Sequence, residues 1–404
     1  MCGGFRRTFF WGTTKSAVAQ DVTLTSRDSS IALSGTLLGF DGEFYRIQTD
    51  YGELTVDGSG VLCKGPACPS LSDYVVDLQI SGAPTLGAVV MPALITAFAQ
   101  KEGYIAEREY GPEATTFSYL IRRAEDEKLV AQFFFRVTNT DEGFADLLAD
   151  EADIVMSLRE IRPEERSPAR EAGMGDLTGT NRSRVLALDA IVPVVSGSNP
   201  VRGISPSDLA QVLAGRITNW EALGGPDVPI DLHLPSAVSG LGQAIMDQLM
   251  APSSFDTFSE AATRHEDPAA LAQAVLADTF ALGVTSYAAR GGTQALMLTG
   301  TCGFAMQASR RAIKTEDYPL TAPMFLYFPA RRLPQLAREF LAFTRGPTAQ
   351  IVIRRSGLVD QTPEEIAVEE QGNRFTNAIS QAGTEITFGA KAKLLGCSDN
   401  QVVV

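Results

Sequence analysis

From about Asp21 to Leu62, apolar and polar residues alternate. Val22 and Leu24, Ile31 and Leu33, Phe44, Tyr45 and Ile47, and Leu54 and Val56 mark the apolar positions. The alternation turns at Phe40-Asp41-Gly42 and Asp50-Tyr51-Gly52, where glycine supplies the positive φ of a hairpin. This pattern predicts a small all-β module over residues 20–71. Beyond Ser72 it gives way to short apolar runs separated by helical stretches. Strands are expected at Val75–Ile80, Gln132–Val137, Ile154–Met156, Val185–Val195, Ile230–Leu234, Phe280–Thr285 and Phe325–Phe328. Helices are expected at Leu86–Gln100 with a kink at Pro92, and at Asp141–Asp150, Ser207–Ala214, Leu241–Met250, Ala269–Ala277 and Leu333–Thr344. Such alternation predicts an α/β domain with helices flanking a parallel sheet. Thr362–Ser380 reads as an acidic amphipathic helix opening on Pro363-Glu364-Glu365, and Gly383–Val404 shows no clear period.

Composition narrows the function classes. The chain has 404 residues, 45% of them hydrophobic, enough for two or three compact units. Its 34 basic and 48 acidic residues leave a net charge of −14, which repels phosphate backbones and anionic lipid, so neither nucleic acid nor a membrane surface is an expected partner. No uninterrupted apolar run approaches the ~20 residues of a membrane span. Residues 1–19 read as an export signal, with Arg6-Arg7 before Thr8-Phe9-Phe10-Trp11 and a small-x-small site at Ala17-Val18-Ala19. The apolar middle is short and broken by Thr13, Thr14 and Lys15, and Arg-Arg-Thr-Phe-Phe also resembles a twin-arginine signal. Export places the protein in the periplasm; the rival is a cytosolic tail. In Cys63-Lys-Gly-Pro-Ala-Cys68 the Gly-Pro turn brings two thiols within disulfide reach. Zinc would need two further ligands, and the two His and Cys2, Cys302 and Cys397 are scattered, so a disulfide and no metal or cofactor is expected.

Three segments place hydroxyls or free amides at a strand-to-helix turn and could together hold an oxyanion. Ser81-Gly82-Ala83-Pro84-Thr85 is the first. In the second, Ala152-Asp153-Ile154-Val155-Met156-Ser157-Leu158-Arg159, Ser157 and Arg159 can face a cleft while Asp153 orients the guanidinium or takes a ligand proton. The third is Ser236-Ala237-Val238-Ser239-Gly240. Each alone is as well explained by an N-cap or a surface ion pair. No nucleophile elbow or phosphate loop appears, and His233 and His265 have no Ser or Cys partner at a recognisable spacing, so no catalysis is expected.

The order of these turns resembles the PstS-like phosphate-binding periplasmic proteins of the type 2 periplasmic-binding fold, over roughly Asp77 to Gln361. The stretches that carry the resemblance are Leu186-Ala-Leu-Asp-Ala-Ile-Val-Pro-Val-Val-Ser-Gly-Ser-Asn-Pro200, Ile204-Ser-Pro-Ser-Asp-Leu-Ala-Gln-Val-Leu-Ala-Gly-Arg-Ile-Thr-Asn-Trp220 and Tyr318-Pro-Leu-Thr-Ala-Pro-Met-Phe-Leu-Tyr327. The resemblance implies a two-lobed α/β clamp with hinge crossovers over residues 72–361. Lobe 1 would span about 72–188 and 300–361, and lobe 2 about 189–299. It implies phosphate or a similar oxyanion as ligand, with Gly82, Ala83, Thr85, Asp153, Ser157, Arg159, Ser236, Ser239 and Gly240 around it, and an ABC permease or envelope component as partner. The chain departs from the family at Ala83, where serine is usual, and at Leu241, where threonine follows Ser-Gly. Two lost hydroxyls, at about 1–3 kcal/mol each, would weaken binding 10- to 10⁴-fold unless amides compensate. The alternative is an envelope interaction protein with a degenerate cleft; a hydrolase ranks below both. The β module and acidic helix also resemble parts of longer proteins with a C-terminal OmpA-like domain. Only Glu369-Glu-Gln-Gly-Asn-Arg374 matches their connecting helix, which makes 362–404 an acidic helix with a truncated tail.

Overall fold

A computed structural model describes residues 21–69, 74–179, 181–300 and 305–363. The leader over 1–19 and the acidic helix beyond Pro363 lie outside the described residues. The chain divides into two compact units, a β unit that ends at Val76 and an α/β unit that opens at Asp77.

The β unit is one antiparallel sheet of β1 (Val22–Ser26), β2 (Ala32–Phe40), β3 (Phe44–Thr49), β4 (Gly52–Asp57) and β5 (Val61–Lys64), in the order β4-β3-β2-β1-β5. The alternation read from the sequence puts Val22, Leu24, Tyr45 and Ile47 on its sealed face. Cys63 and Cys68 form a disulfide with their Cα atoms 5.8 Å apart.

The α/β unit begins with β6 (Val76–Gly82), a π-helical turn over Thr85–Val90, and α1 (Met91–Glu102). The expected helix is present, but Pro92 does not kink it. Pro92 sits in the first turn of α1, where a missing N–H costs no bond, and the irregularity lies one turn earlier. There follow β7 (Tyr104–Tyr110), β8 (Thr116–Arg123), β9 (Leu129–Val137), α2 (Thr140–Leu148), β10 (Ile154–Ser157), α3 (Pro163–Glu171) and β11 (Ser183–Val195). The next elements are β12 (Gly203–Ile204), α4 (Pro206–Leu213), β13 (Asp231–Pro235), α5 (Gly240–Ile245), β14 (Thr263–His265), α6 (Pro268–Ala277) and β15 (Ala281–Ser286). The unit closes with β16 (Gln294–Ala295), β17 (Met297–Thr299), β18 (Ala305–Met306), α7 (Arg310–Lys314), β19 (Thr321–Tyr327), α8 (Gln335–Phe343) and α9 (Pro347–Arg355).

A single sheet runs through both lobes in the order β14-β13-β15-β11-β19-β10-β6-β9-β8-β7, with β16 beside β11. It is mixed rather than the expected parallel sheet: β6 with β10 and β13 with β14 and β15 run parallel, whereas β19 with β10 and β11, β11 with β15, and β8 with β7 and β9 run antiparallel. The long strand β11 is the crossing point. Ser183–Ala190 pairs with β19, while Ile191–Val195 pairs with β15. β19 in turn pairs with β10, so two strands carry the chain between lobes. One lobe packs Leu78, Ile80, Leu94, Phe98, Phe133 and Phe340, with the Phe98 and Phe340 rings 5.5 Å apart. The other packs Ile191, Val194, Trp220, Ile245 and Leu282, and Ala312, Ile313, Leu320 and Val359 join that cluster. Among the described residues no helix is long and apolar enough to cross a membrane.

Candidate ligand-binding site between the lobes

β6 and β10 run parallel with Met156 opposite Gly82, so their C-terminal ends release two turns side by side. Ligands of open α/β sheets bind at such strand ends. Gly82 has φ +126°, and a Cβ there would fall 2.3 Å from the Met156 carbonyl oxygen. Only glycine allows that approach. The Ala83 amide donates to the same carbonyl at 2.8 Å, and Ala83 is fully buried, while Thr85 is exposed.

In the second turn the buried Ser157 hydroxyl donates to the Arg159 carbonyl at 2.6 Å and accepts from the Arg159 amide at 3.3 Å. The Leu158 amide donates to Thr140 Oγ1 at 3.2 Å. The Arg159 guanidinium is buried and committed. It donates to Glu165 at 2.9 and 2.6 Å, to the Glu160 carbonyl at 3.0 Å and to Asp141, and it lies 5.2 Å from the Phe144 ring centre. Burial pulls its pKa down, but the bonds and charges of Glu165 and Asp141 outweigh that and hold it above the ordinary arginine value. Asp153, expected to orient this guanidinium, does not. It stands at the other end of β10, bonded to Arg331 at 2.6 Å and to the Gln79 amide at 2.8 Å, because strand β10 separates it from the turn.

In the third turn Ser239 caps α5, accepting from the Gly242 amide at 3.1 Å and donating to the Ser236 carbonyl at 2.7 Å. Ser236 is buried, as is Gly240. A Cβ on Gly240 would lie 2.5 Å from Leu158 Cδ1, so the second and third turns meet across the lobes on an apolar side chain. Two polar bonds flank that contact: Gln243 Nε2 to Asp141 Oδ2 at 3.0 Å, and Arg162 Nη2 to Asp247 Oδ2 at 2.7 Å. A groove of about 330 Å³ beside them is lined by Arg162, Ala237, Gln243, Asp247, Phe258 and Arg264.

The structure thus brings Gly82 and Ala83 against β10, and sets Leu158 of the Ser157–Arg159 turn against Gly240. Sequence reasoning missed Asp141, Glu165, Arg162, Gln243 and Asp247, four charged side chains and one amide that no motif marks. Leu158 was the visible signal, an apolar residue inside an otherwise polar turn. The two histidines also meet. His233 Nδ1 lies 3.0 Å from His265 Nε2, and His233 Nε2 lies 3.0 Å from Asp231 Oδ2.

Two lobes on one sheet, joined by crossing strands and facing each other through strand-end turns, make up the two-lobed periplasmic-binding architecture. A family model described as a PBP superfamily domain matches residues 110–347, more than half of the chain, and the chain belongs to that superfamily. It is 27% identical over 212 residues to protein SphX of Synechococcus elongatus, a match covering 47% of this chain and 58% of SphX. The chain therefore spans somewhat over half the length of that relative. An ABC-type phosphate transport receptor from Vibrio cholerae superposes with a TM-score of 0.53 at 19% identity, over 71% of this chain and 100% of the receptor. PstS from Borrelia burgdorferi superposes with a TM-score of 0.50 at 16% identity, over 70% of this chain and 98% of that protein. These likenesses show the fold.

Proposed function

We propose that the α/β unit is a solute-binding protein that closes its lobes on phosphate or a similar small oxyanion, for uptake or sensing. The observation that carries the proposal is that the turns after β6, β10 and β13 lie at strand ends, the last two in contact across the lobes through Leu158 and Gly240. Similarity to the Vibrio phosphate transport receptor supports phosphate as the anion. Thr85, Ser157, Ser236, Ser239 and the amides near Gly240 would hold it. Arg159 would act through its fixed turn, because Asp141 and Glu165 already balance its charge. Asp153 has no part in this site. We further propose export to the periplasm behind the 1–19 leader, an ABC permease or envelope component as partner, and the unit limits 20–71, 72–361 and 362–404. No catalytic step is assigned, since the ring nitrogens of His233 face His265 and Asp231.

A second reading, an envelope interaction protein with a degenerate cleft, is favoured by Leu158 occupying the meeting point of the turns. Titration with phosphate separates the two. A binder is stabilised by about RT ln(1+[L]/Kd), so its melting temperature rises with phosphate. Leu158→Ala removes the apolar contact and leaves the backbone amides in place, so a binder is expected to keep saturable phosphate binding. No phosphate shift at millimolar concentration in either protein, with both folded, would establish the degenerate cleft.

A further inference from the structure

Away from the interlobe contact lies a half-open cavity of about 600 Å³, bounded by the start of β11 (Ser183, Arg184), the α8–α9 junction (Thr344, Arg345, Pro347) and the segment around Thr362. Among the described residues its lining holds two arginines and no carboxylate. That runs against the composition, in which acids outnumber bases 48 to 34. Among the described residues neither guanidinium meets an acid. Arg184 Nη1 donates only to neutral oxygens, the Leu341 carbonyl and Thr344 Oγ1, and its buried Nε has no partner. Burial, then the like charge of Arg345, pulls the Arg184 pKa down to about 10. In a cavity two like charges destabilise each other unless an anion joins them. The nine-residue helix α9 begins in the same wall at Pro347, and no side chain caps its N-terminus. Its partial positive charge adds to the two guanidinium groups.

We propose that this cavity is a second anion site, distinct from the interlobe cleft, which takes the phosphate group of a small organic phosphate. Paired guanidinium groups match a phosphate dianion in charge and in planar hydrogen-bonding geometry. The cavity exceeds what a bare oxyanion fills and lies in the range of sites for small organic solutes. The organic part would lie over Val185, Pro347 and Pro363. Interlobe closure does not enter, so the site is independent of the cleft proposal.

The test is calorimetric titration of the full chain with glycerol 2-phosphate and with pyrophosphate at matched ionic strength. Saturable binding is expected, and Arg345→Glu should weaken it by about tenfold or more, because it places a carboxylate in the cavity. Arg345 is exposed, so this variant should fold. Arg184→Gln should weaken binding likewise, with circular dichroism checking the fold. Gly240→Trp, which obstructs the cleft, should leave this binding intact. Equal affinity in wild type and Arg345→Glu, loss of the binding with Gly240→Trp instead, or no binding of either probe at millimolar concentration would each overturn the proposal.

Discussion

Asp360 has no exposed surface and gathers cations from two helices. Arg354 Nε donates to it at 2.9 Å, while Lys314 and Arg310 stand at 3.3 and 3.5 Å. Burial raises its pKa, but the bonds from Arg354 and Thr362 and the charge of Lys314 outweigh that and hold the carboxyl well below the usual carboxylate range. A depressed folded pKa stabilises the protein above the unfolded value and loses that stabilisation as pH falls through it. Asp360→Ala leaves three cations facing a buried gap. Arg310 and Arg354 are 34% and 49% exposed, so solvent screens much of the charge left behind, and a loss of about 1–3 kcal/mol is expected from denaturant unfolding near pH 7. The loss should shrink as the wild type is titrated below the carboxylate range. A variant unfolding at the wild-type midpoint near neutral pH would show that the cations, not the carboxylate, organise this corner.

Pairing of β13 with β14 brings His233 opposite Thr263 and sets His265 at the strand end, and from this register follows the histidine contact that spacing in sequence could not show. His265 is held below its ordinary pKa, first by burial and then by the charge of His233. The folded state thus favours its neutral form. The unfolded chain therefore binds more protons once pH falls below the ordinary histidine value, and stability should decline from there as pH drops toward the folded value. His265→Gln should flatten that slope below the ordinary histidine value, measured as the change in melting temperature with pH. An unchanged slope would locate the acid sensitivity elsewhere. Elements with a strong apolar period were legible in the sequence: the hairpins around Tyr45 and Ile47, the crossing strand near Ile191–Val195, and the helices α1, α2, α4, α5, α6 and α8, whereas the more polar α3, α7 and α9 were not. Nor were the strands β7 and β8, because Glu107, Arg108, Glu109, Arg122 and Arg123 interrupt the alternation; of these, Arg122 and Glu107 pair across the hairpin. The three turns could be read as strand-to-helix turns, whereas their polar partners come from segments far along the chain. No local pattern encodes the bonds of Asp141 to Arg159 or to Gln243.

At the scale of the whole α/β unit, the question is what holds the lobes against each other, since two strands carry the sheet across and allow them to turn. The contacts across the interface near the turns are Leu158 on Gly240, Gln243 on Asp141, and Arg162 on Asp247. Arg162 and Asp247 are each about a third exposed, at 31% and 33%, so solvent screens their attraction and the pair contributes no more than about 1 kcal/mol. That is small against the stability of a domain but not against an equilibrium between open and closed lobes, where about 1 kcal/mol is roughly a fivefold change in population. A ligand that binds the closed form has an apparent affinity proportional to the closed fraction. Asp247→Ala should therefore weaken phosphate binding by up to about fivefold while leaving the unfolding midpoint nearly unchanged. Raised salt should weaken wild-type binding beyond simple anion competition, and should do so less in the variant, because screening removes what the mutation has already removed. Small-angle scattering of the ligand-free variant should show a larger radius of gyration than the wild type. If affinity, salt dependence and scattering all stay at their wild-type values, the Arg162–Asp247 pair adds nothing to closure, and the Gln243–Asp141 bond and the contact of Leu158 with Gly240 are what carry it.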